Sequence, residues 1–262
     1  MKLISLNIWG GRAYDPLMDF IKKSAKDTDI FCFQEVFSSP AKVKVSRNTY
    51  VNILADLVVV LDGYNLFWGP KQDGFDNAGP VDFEVTEGSA TFIKKYITAE
   101  SYDNFFICGE RNSASRDVST KCYPFPASML CTRINTGGKR YVIGNVYGFP
   151  YPGTKLDTPE RLEQSRKIKK VLENDTGEKI LCGDLNLMPG TESIKMLEGN
   201  MENLIKKYKV MTTRSRINPY FGTSEEQKFA DYTFVSPGIR VKDFQVPDIS
   251  VSDHLPMILS FE

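Results

Sequence analysis

The stretch Ser252-Asp253-His254-Leu255-Pro256-Met257-Ile258-Leu259 joins a polar cluster to an apolar run that predicts the closing strand of a sheet. His254 is the only histidine in the 262-residue chain. Imidazole titrates nearest to neutral pH, so His254 is the one residue ready for proton transfer or charge stabilisation under these conditions. A solitary histidine is more often a satisfied structural residue, and a catalytic interpretation therefore depends on the other motifs of the chain.

The same pattern, a strand-like run with polar side chains at its end, recurs along the chain. The clusters are Asn7, Gln34-Glu35, Asn145 with Tyr147, and Gly183-Asp184-Leu185-Asn186. Each cluster is weak evidence by itself, because Gly, Asp and Asn are common turn residues and a glutamate at the end of a strand is usually solvated.

The remaining pattern predicts a mixed fold. We predict a long helix over residues 50–61, a loop over residues 68–81, a hairpin through residues 136–139 and a helix that opens at residues 158–160. Hairpin-like strand pairs are mixed with strand-helix-strand units, which favours a mixed α/β sandwich over a purely parallel sheet. We expect residues 1–262 to form a single domain.

The charge balance restricts the classes of partner. Lys plus Arg and Asp plus Glu number 33 each, so the chain has no global basic field to hold a long nucleic acid. A polyanion would need a local basic patch. Arg111, Arg116 and Lys121 fall in one polar loop, which is either a solvated surface loop or a phosphate-contacting loop.

The cysteines and the start of the chain indicate the compartment. The five cysteines are unclustered, and Cys32, Cys131 and Cys182 lie in apolar runs, which indicates reduced, buried thiols and no zinc site. The first residues are too few and too polar for a signal peptide, and no stretch approaches about eighteen apolar residues. We therefore expect a soluble, cytoplasmic monomer without a membrane span.

Six motifs, taken in order, resemble those of the endonuclease/exonuclease/phosphatase superfamily. They are Leu6-Asn7-Ile8-Trp9-Gly10, Gln34-Glu35-Val36, Gly144-Asn145-Val146-Tyr147, Gly183-Asp184-Leu185-Asn186, Asp231-Tyr232 and Ser252-Asp253-His254. The resemblance runs from the first predicted strand to the last. It implies a four-layer α/β/β/α sandwich and divalent-metal-dependent hydrolysis of a phosphoester, because members of the superfamily share both properties.

The resemblance implies a metal site built on Glu35. Glu35 would be the principal Mg²⁺ ligand, with Asn7 beside it and Asp253 close to the same ion, and Mn²⁺ is the alternative metal. These residue types suit the ion, since Mg²⁺ prefers hard oxygen ligands and often takes one or two carboxylates together with substrate phosphate and water.

The resemblance also implies catalytic roles, and its motifs place Asn145 in the catalytic group. Asp184 and Asn186 would align the attacking water and the phosphate, and Asp231 would hydrogen-bond His254. An aspartate behind the imidazole would fix its tautomer and favour its positive charge, which would then face the charge on the transferring phosphoryl group. Whether Asp184 or His254 is the base stays open.

Two positions depart from well-known branches of the superfamily. Tyr147 stands where many members carry histidine, although the abasic-site endonuclease branch has tyrosine there. Its hydroxyl either donates to a non-bridging phosphate oxygen or only packs at the edge of the sheet. Trp9 stands where the abasic-site endonuclease branch has a second carboxylate. Since no well-known branch is matched cleanly, the resemblance leaves the substrate open.

The leading hypothesis is a Mg²⁺-dependent phosphodiesterase, nuclease-like in mechanism, that hydrolyses a phosphoester by in-line attack of an activated water. Nucleic acid is one candidate substrate. The alternative is a phosphomonoesterase acting on a small phosphorylated metabolite or inositol phosphate, which the balanced charge would suit. A non-catalytic binding scaffold is a third hypothesis, and the presence of Glu35, Asp184 and His254 argues against it.

Overall fold

The structure is a computed structural model that describes residues 1–114 and 125–262, and two six-stranded sheets form its centre. The strands are β1 (Lys2–Asn7), β2 (Ile30–Ser38), β3 (Val45–Ser46), β4 (Thr49–Tyr50), β5 (Tyr64–Asp73), β6 (Phe75–Asp76), β7 (Gly79–Pro80), β8 (Thr86–Lys94), β9 (Thr98–Cys108), β10 (Ala127–Thr136), β11 (Lys139–Tyr147), β12 (Glu178–Asp184), β13 (Glu202–Asn203), β14 (Asp231–Val235), β15 (Val241–Gln245) and β16 (Met257–Phe261). The α-helices are α1 (Tyr14–Ser24), α2 (Ile53–Val60), α3 (Pro159–Glu173), α4 (Glu192–Glu198) and α5 (Leu204–Lys207), and a 3₁₀ turn covers Trp9–Gly11.

Each sheet is mixed, with one parallel pair inside an antiparallel frame. The first sheet has the order β15-β16-β1-β2-β8-β5, and the second has the order β13-β14-β12-β11-β10-β9. Strand β1 pairs in parallel with β2, and β11 pairs in parallel with β12. The remaining pairs within both sheets are antiparallel. The two sheets contact each other through these central strands, so the ends of the parallel pairs lie close together.

The side chains of β1 show how the layers separate. Ile4 and Leu6 pack against Leu17 of α1 and Leu57 of α2 on the outer face, whereas Leu3 joins the apolar cluster that contains the second sheet. This alternation is the period of two expected for a strand with two buried faces. Residues of α3 and α4 pack in the cluster of the second sheet. The mixed α/β sandwich predicted from the sequence is therefore confirmed.

Two local predictions are wrong. Residues 68–81 are predicted as a loop, but β5 extends through much of this range and two short strands follow it. Because β5 lies at the edge of its sheet, it tolerates the Gly69-Pro70 pair that reads as a loop in the sequence. Helix α2 begins at Ile53 and is shorter than predicted, since Tyr50 belongs to the small hairpin of β3 and β4.

Only part of the predicted polar loop lies within the described residues. Arg111 is exposed and forms an ion pair with Asp73, whose Oδ2 lies 3.2 Å from Nη2. Arg116 and Lys121, from the same predicted loop, lie outside the described residues.

The thiols that the sequence places in apolar runs are buried: Cys32, Cys131 and Cys182. None of the helices in residues 1–114 and 125–262 has the length and hydropathy of a membrane span.

Asn145 joins the two sheets through its side-chain amide. Nδ2 donates to the backbone oxygens of Phe33 at 3.2 Å and Ala90 at 3.1 Å, and it also lies 3.2 Å from Thr91 Oγ1. Gln34 Nε2 in turn donates to Oδ1 at 2.6 Å. Asn145 is fully buried, so water cannot replace any of these contacts.

We expect Asn145→Ala to lower the free energy of unfolding by roughly 3 kcal/mol, because it leaves several buried polar groups without a partner. Urea unfolding followed by circular dichroism measures this loss. Asn135→Ala is the control, since Asn135 is exposed on β10, and it should change stability by less than about 0.5 kcal/mol. A loss in Asn145→Ala no larger than that in the control would contradict the bridging role.

Candidate active site

A pocket of about 780 Å³ opens at the end of the sandwich where the central strands terminate. Six of the sequence-predicted site residues line it: Glu35, Tyr147, Asp184, Asn186, Asp253 and His254. Asn7 and Asp231 lie directly behind this lining and contact it through hydrogen bonds. Asn145 is not brought to the pocket, because its amide is engaged between the sheets.

Strand register brings the site residues of the second sheet into one row. Tyr147 on β11 is the register partner of Asp184 on β12, and Asp184 is the partner of Asp231 on β14. His254 pairs with Arg214 in an isolated antiparallel bridge beside this row. Residues far apart in the chain therefore become neighbours through sheet pairing alone.

Asn7 connects the carboxylates of the two sheets. Its Nδ2 donates to Glu35 Oε1 at 2.9 Å and to Asp184 Oδ2 at 3.1 Å. Its Oδ1 accepts the backbone N–H of Trp9 at 2.9 Å. One amide thus holds a carboxylate of each sheet within reach of the other.

Among the described residues, four non-glycine residues that line the pocket have a left-handed backbone. The φ angles are 53° at Trp9, 53° at Glu35, 56° at Lys155 and 55° at Asn186, in a region that residues other than glycine seldom occupy. A register shift between Phe33 and Val36 accompanies the turn at Glu35. Such strain persists where the surroundings enforce it, and it collects at functional sites, where a bulge redirects a side chain.

The imidazole of His254 is oriented by Asp231. Nδ1 lies 2.8 and 2.9 Å from the two carboxylate oxygens of Asp231, which can only accept, so the Nδ1–H donates. Nε2 is directed toward the other carboxylates, 3.9 Å from Asp184 Oδ2 and 3.8 Å from Asp253 Oδ1. Burial and the Arg214 guanidinium lower the pKa of His254, but Asp231 and Asp253 outweigh them and raise it above 6.5.

Arg214 stands against the free nitrogen of this imidazole. Its Nη1 contacts His254 Nε2 and lies 3.3 Å from Asp253 Oδ2. A guanidinium offers only donors, so the contact with Nε2 belongs to the neutral imidazole. Protonation of Nε2 requires Arg214 to turn away, and Asp253 is already in reach to receive it.

The two carboxylates that share Asn7 differ in pKa. Burial raises the pKa of Glu35 to about 7, and the charges of Asp253 and Glu87 add to the effect. Burial also acts on Asp184, but His254, Lys155 and Arg214 oppose it and hold the pKa of Asp184 below its usual range. Asp184 is therefore ionised at neutral pH, whereas Glu35 needs a further cation to become fully ionised.

Two sets of side chains offer ligands to a metal ion. Asp184, Asp231 and His254 place ligand atoms within 4.8 Å of one another, but the hydrogen bond between Asp231 and Nδ1 already explains that cluster. Glu35 and Asp253 supply hard carboxylate oxygens in the pocket, and Glu35 has the raised pKa of a carboxylate lacking a cation. This second donor set fits Mg²⁺ or Mn²⁺ better.

Tyr147 donates its hydroxyl hydrogen to a carboxylate that the sequence analysis did not single out. The hydroxyl lies 3.0 Å from Glu87 Oε1, and Lys71 Nζ lies 3.6 Å from Glu87 Oε2. Lys71 Nζ also stands over the Tyr147 ring, 3.3 Å from its centroid. Burial, with Glu35 and Glu87, raises the pKa of Tyr147, so the hydroxyl remains a neutral donor.

Comparisons with known proteins agree with this architecture. A family model described as Endonuclease/Exonuclease/phosphatase family matches residues 4–254. A similar solved structure is an endonuclease/exonuclease/phosphatase family protein from Leptotrichia buccalis C-1013-b, with TM-score 0.72 and 18% identity over 100% of this chain and 99% of that one. Because this identity is low, the likeness shows the fold alone.

Two further solved structures have this fold. One is a mannosyl-6-phosphatase of Bacteroides thetaiotaomicron VPI-5482, with TM-score 0.69 and 17% identity over 100% of this chain and 99% of that one. The other is the human Nocturnin catalytic domain with bound sulfate, with TM-score 0.66 and 17% identity over 100% of this chain and 93% of that one. A search of curated proteins found no match.

We expect Tyr147→Phe to lower stability by about 1 kcal/mol, because Glu87 loses a buried hydrogen bond. Turnover should stay within about threefold of wild type, since the hydroxyl is committed to Glu87, whereas one donor to a developing oxyanion is worth roughly 100-fold or more. Tyr102→Phe, on an exposed tyrosine of β9, is the control for both measurements. A fall in turnover of 100-fold or so would instead support a direct contact with the phosphate.

Proposed function

The chain belongs to the endonuclease/exonuclease/phosphatase family, whose model matches residues 4–254, and on this premise we propose that it is a divalent-metal-dependent phosphoesterase. Members of this family are phosphoester hydrolases. The observation that carries the proposal is the His254–Asp231 pair, whose Nε2 contacts Arg214 and lies 3.9 Å from a carboxylate oxygen of Asp184 and 3.8 Å from one of Asp253. Phosphoryl transfer to water needs a group that stabilises the developing charge and oxygen ligands that bind a metal ion. The oriented imidazole and the neighbouring carboxylates supply these groups.

Glu35 and Asp253 would hold the metal, with Asn7 positioning Glu35 from behind. When bound, Mg²⁺ supplies positive charge that stabilises the phosphoryl oxygens as negative charge develops on them. The family resemblance favours Mg²⁺, and Mn²⁺ meets the same demand for oxygen ligands.

The remaining residues would orient the water and the phosphate. Asp184 is ionised, and its oxygens are fixed by the Asn186 backbone N–H at 2.9 Å and by Asn7. It is therefore placed to accept a hydrogen bond, and then the proton, from the attacking water. Protonated His254 would donate from Nε2 to a phosphoryl oxygen, held in that orientation by Asp231.

This mechanism serves a phosphodiester and a phosphomonoester alike. The nuclease-like phosphodiesterase expected from the sequence is supported by the size of the pocket, about 780 Å³, and by a lining that includes Trp9, Asn77, Tyr151 and Tyr220. Substituents on both sides of a phosphate could be accommodated there. Nucleic acid thus stays a candidate substrate.

A small phosphomonoester is the second candidate, and the cations of the pocket favour it. Lys155 and Arg214 line the same pocket as the carboxylates. A terminal phosphate carries more negative charge than a diester and profits more from such neighbours. Hydrolysis of both ester types with Mg²⁺, and its loss with EDTA, is the direct test of the proposed activity.

We expect Glu35→Gln to weaken Mg²⁺ binding by on the order of tenfold or more and to abolish most turnover, because a neutral amide cannot replace the charge of the main ligand. Isothermal titration of Mg²⁺ into the protein without substrate measures the first effect. Glu163→Gln, on an exposed glutamate of α3, is the control. Wild-type Mg²⁺ affinity in Glu35→Gln would remove Glu35 from the metal site.

A further inference from the structure

Lys155 is a buried lysine that lines the pocket and forms no ion pair with any described residue. Its side chain contacts Asn186 Oδ1, a neutral acceptor, through Nζ. Within residues 1–114 and 125–262 it forms no ion pair with a carboxylate and no second hydrogen bond through Nζ. Only 8% of the residue is exposed. The ammonium carries three hydrogens, so two of them are available to a group in the pocket.

The backbone around Lys155 is fixed before any ligand binds. Its carbonyl oxygen accepts the N–H of Met188 at 2.8 Å, and its own N–H donates to Pro152 at 3.3 Å. Arg161 of α3, fully buried, donates from its guanidinium to backbone oxygens of the preceding loop, among them Pro152 at 2.7 Å and Leu156 at 2.7 Å. The loop therefore presents Lys155 in a set position.

Arg214 supplies a second cation on the same side of the pocket. It contacts His254 and Asp253, and its charge lowers the pKa of Lys155, after the larger effect of burial, to about 8. Two buried cations that repel each other are costly unless an anion joins them. Asp184 and Asp231 attract Lys155 through space without pairing with it.

We propose that Lys155 and Arg214 form a subsite for the second negative charge of a terminal phosphate, so that the protein prefers phosphomonoesters to phosphodiesters. The inference rests on the proposed function and specifies its substrate class. A phosphomonoester is largely a dianion at neutral pH, whereas a diester carries one charge. The metal ion and His254 suffice to stabilise the single negative charge of a diester. Lys155 and Arg214 add to binding only when the phosphate carries a second negative charge.

The test compares two esters with the same leaving group, p-nitrophenyl phosphate and methyl p-nitrophenyl phosphate. Lys155→Met should lower kcat/KM for the monoester by roughly 10- to 100-fold, the usual value of a hydrogen bond to a charged group. For the diester it should change kcat/KM by less than about threefold. Lys195→Met, on an exposed lysine of α4, is the control and should leave both values unchanged.

Thermal unfolding separates this role from a structural one. Removing an unpaired buried cation relieves a desolvation cost, so Lys155→Met should melt at the wild-type temperature or above it. An unchanged or higher melting temperature together with a lower kcat/KM for the monoester is the result expected of a residue that binds substrate at a cost in stability. A lower melting temperature together with equal losses on both esters would overturn the proposal.

Binding of inorganic phosphate in the presence of Mg²⁺ provides a readout besides turnover. Lys155→Met should weaken phosphate binding, measured by calorimetry, by roughly tenfold or more relative to wild type and to Lys195→Met. Unchanged phosphate affinity would overturn the subsite. If wild type hydrolyses neither ester, the proposed function fails, and the phosphate titration still decides whether Lys155 binds the anion.

Discussion

The structure depends on the concentration of buried negative charge at one end of the sandwich. Within the described residues, the buried or half-buried carboxylates that line or adjoin the pocket are Glu35, Asp76, Glu87, Asp184, Asp231 and Asp253. The cationic side chains Lys71, Lys155 and Arg214 lie among them, and His254 adds a positive charge when protonated. Buried carboxylates without matching cations are unfavourable, which explains the raised pKa of Glu35. A divalent cation would supply the positive charge that balances the buried carboxylates. The positions of the other side chains of the site are consistent with binding such a cation.

The sandwich enforces this arrangement through interactions that are neutral. Asn145 and Gln34 tie the two sheets together, and Asn7 holds Glu35 beside Asp184 directly behind the pocket lining. Side-chain amides do this without adding charge. The left-handed backbone at Glu35 then turns its carboxylate into the pocket. Backbone strain and repulsion between carboxylates therefore destabilise the fold at the pocket. Burial of apolar side chains in the layers on either side offsets this cost.

Much of this could be predicted from the sequence, because it depends on local pattern. Apolar runs that end in Asn7, Glu35 and Asp184 indicated strand ends, and the confirmed hairpin at residues 136–139 followed from its glycines. The edge strand β5 was missed because Gly69-Pro70 is typical of a loop. A strand tolerates this pair only at the edge of a sheet, where the missing proline N–H needs no partner strand. Lys155 and Arg214 were missed for another reason. They meet partners 31 and 40 residues away, and no periodicity marks the loops that deliver them.

The measurement that tests the central claim most directly is the NMR titration of His254 with and without Mg²⁺. As the only histidine, it gives one set of imidazole signals. If His254 shares a charge cluster with the metal site, its pKa in the metal-free protein lies above 6.5, because Asp231 and Asp253 outweigh burial and Arg214. Saturating Mg²⁺ should then lower that pKa, since a nearby cation disfavours the imidazolium. A pKa at or below 6.5 without metal, or one that Mg²⁺ leaves unchanged, would contradict the account.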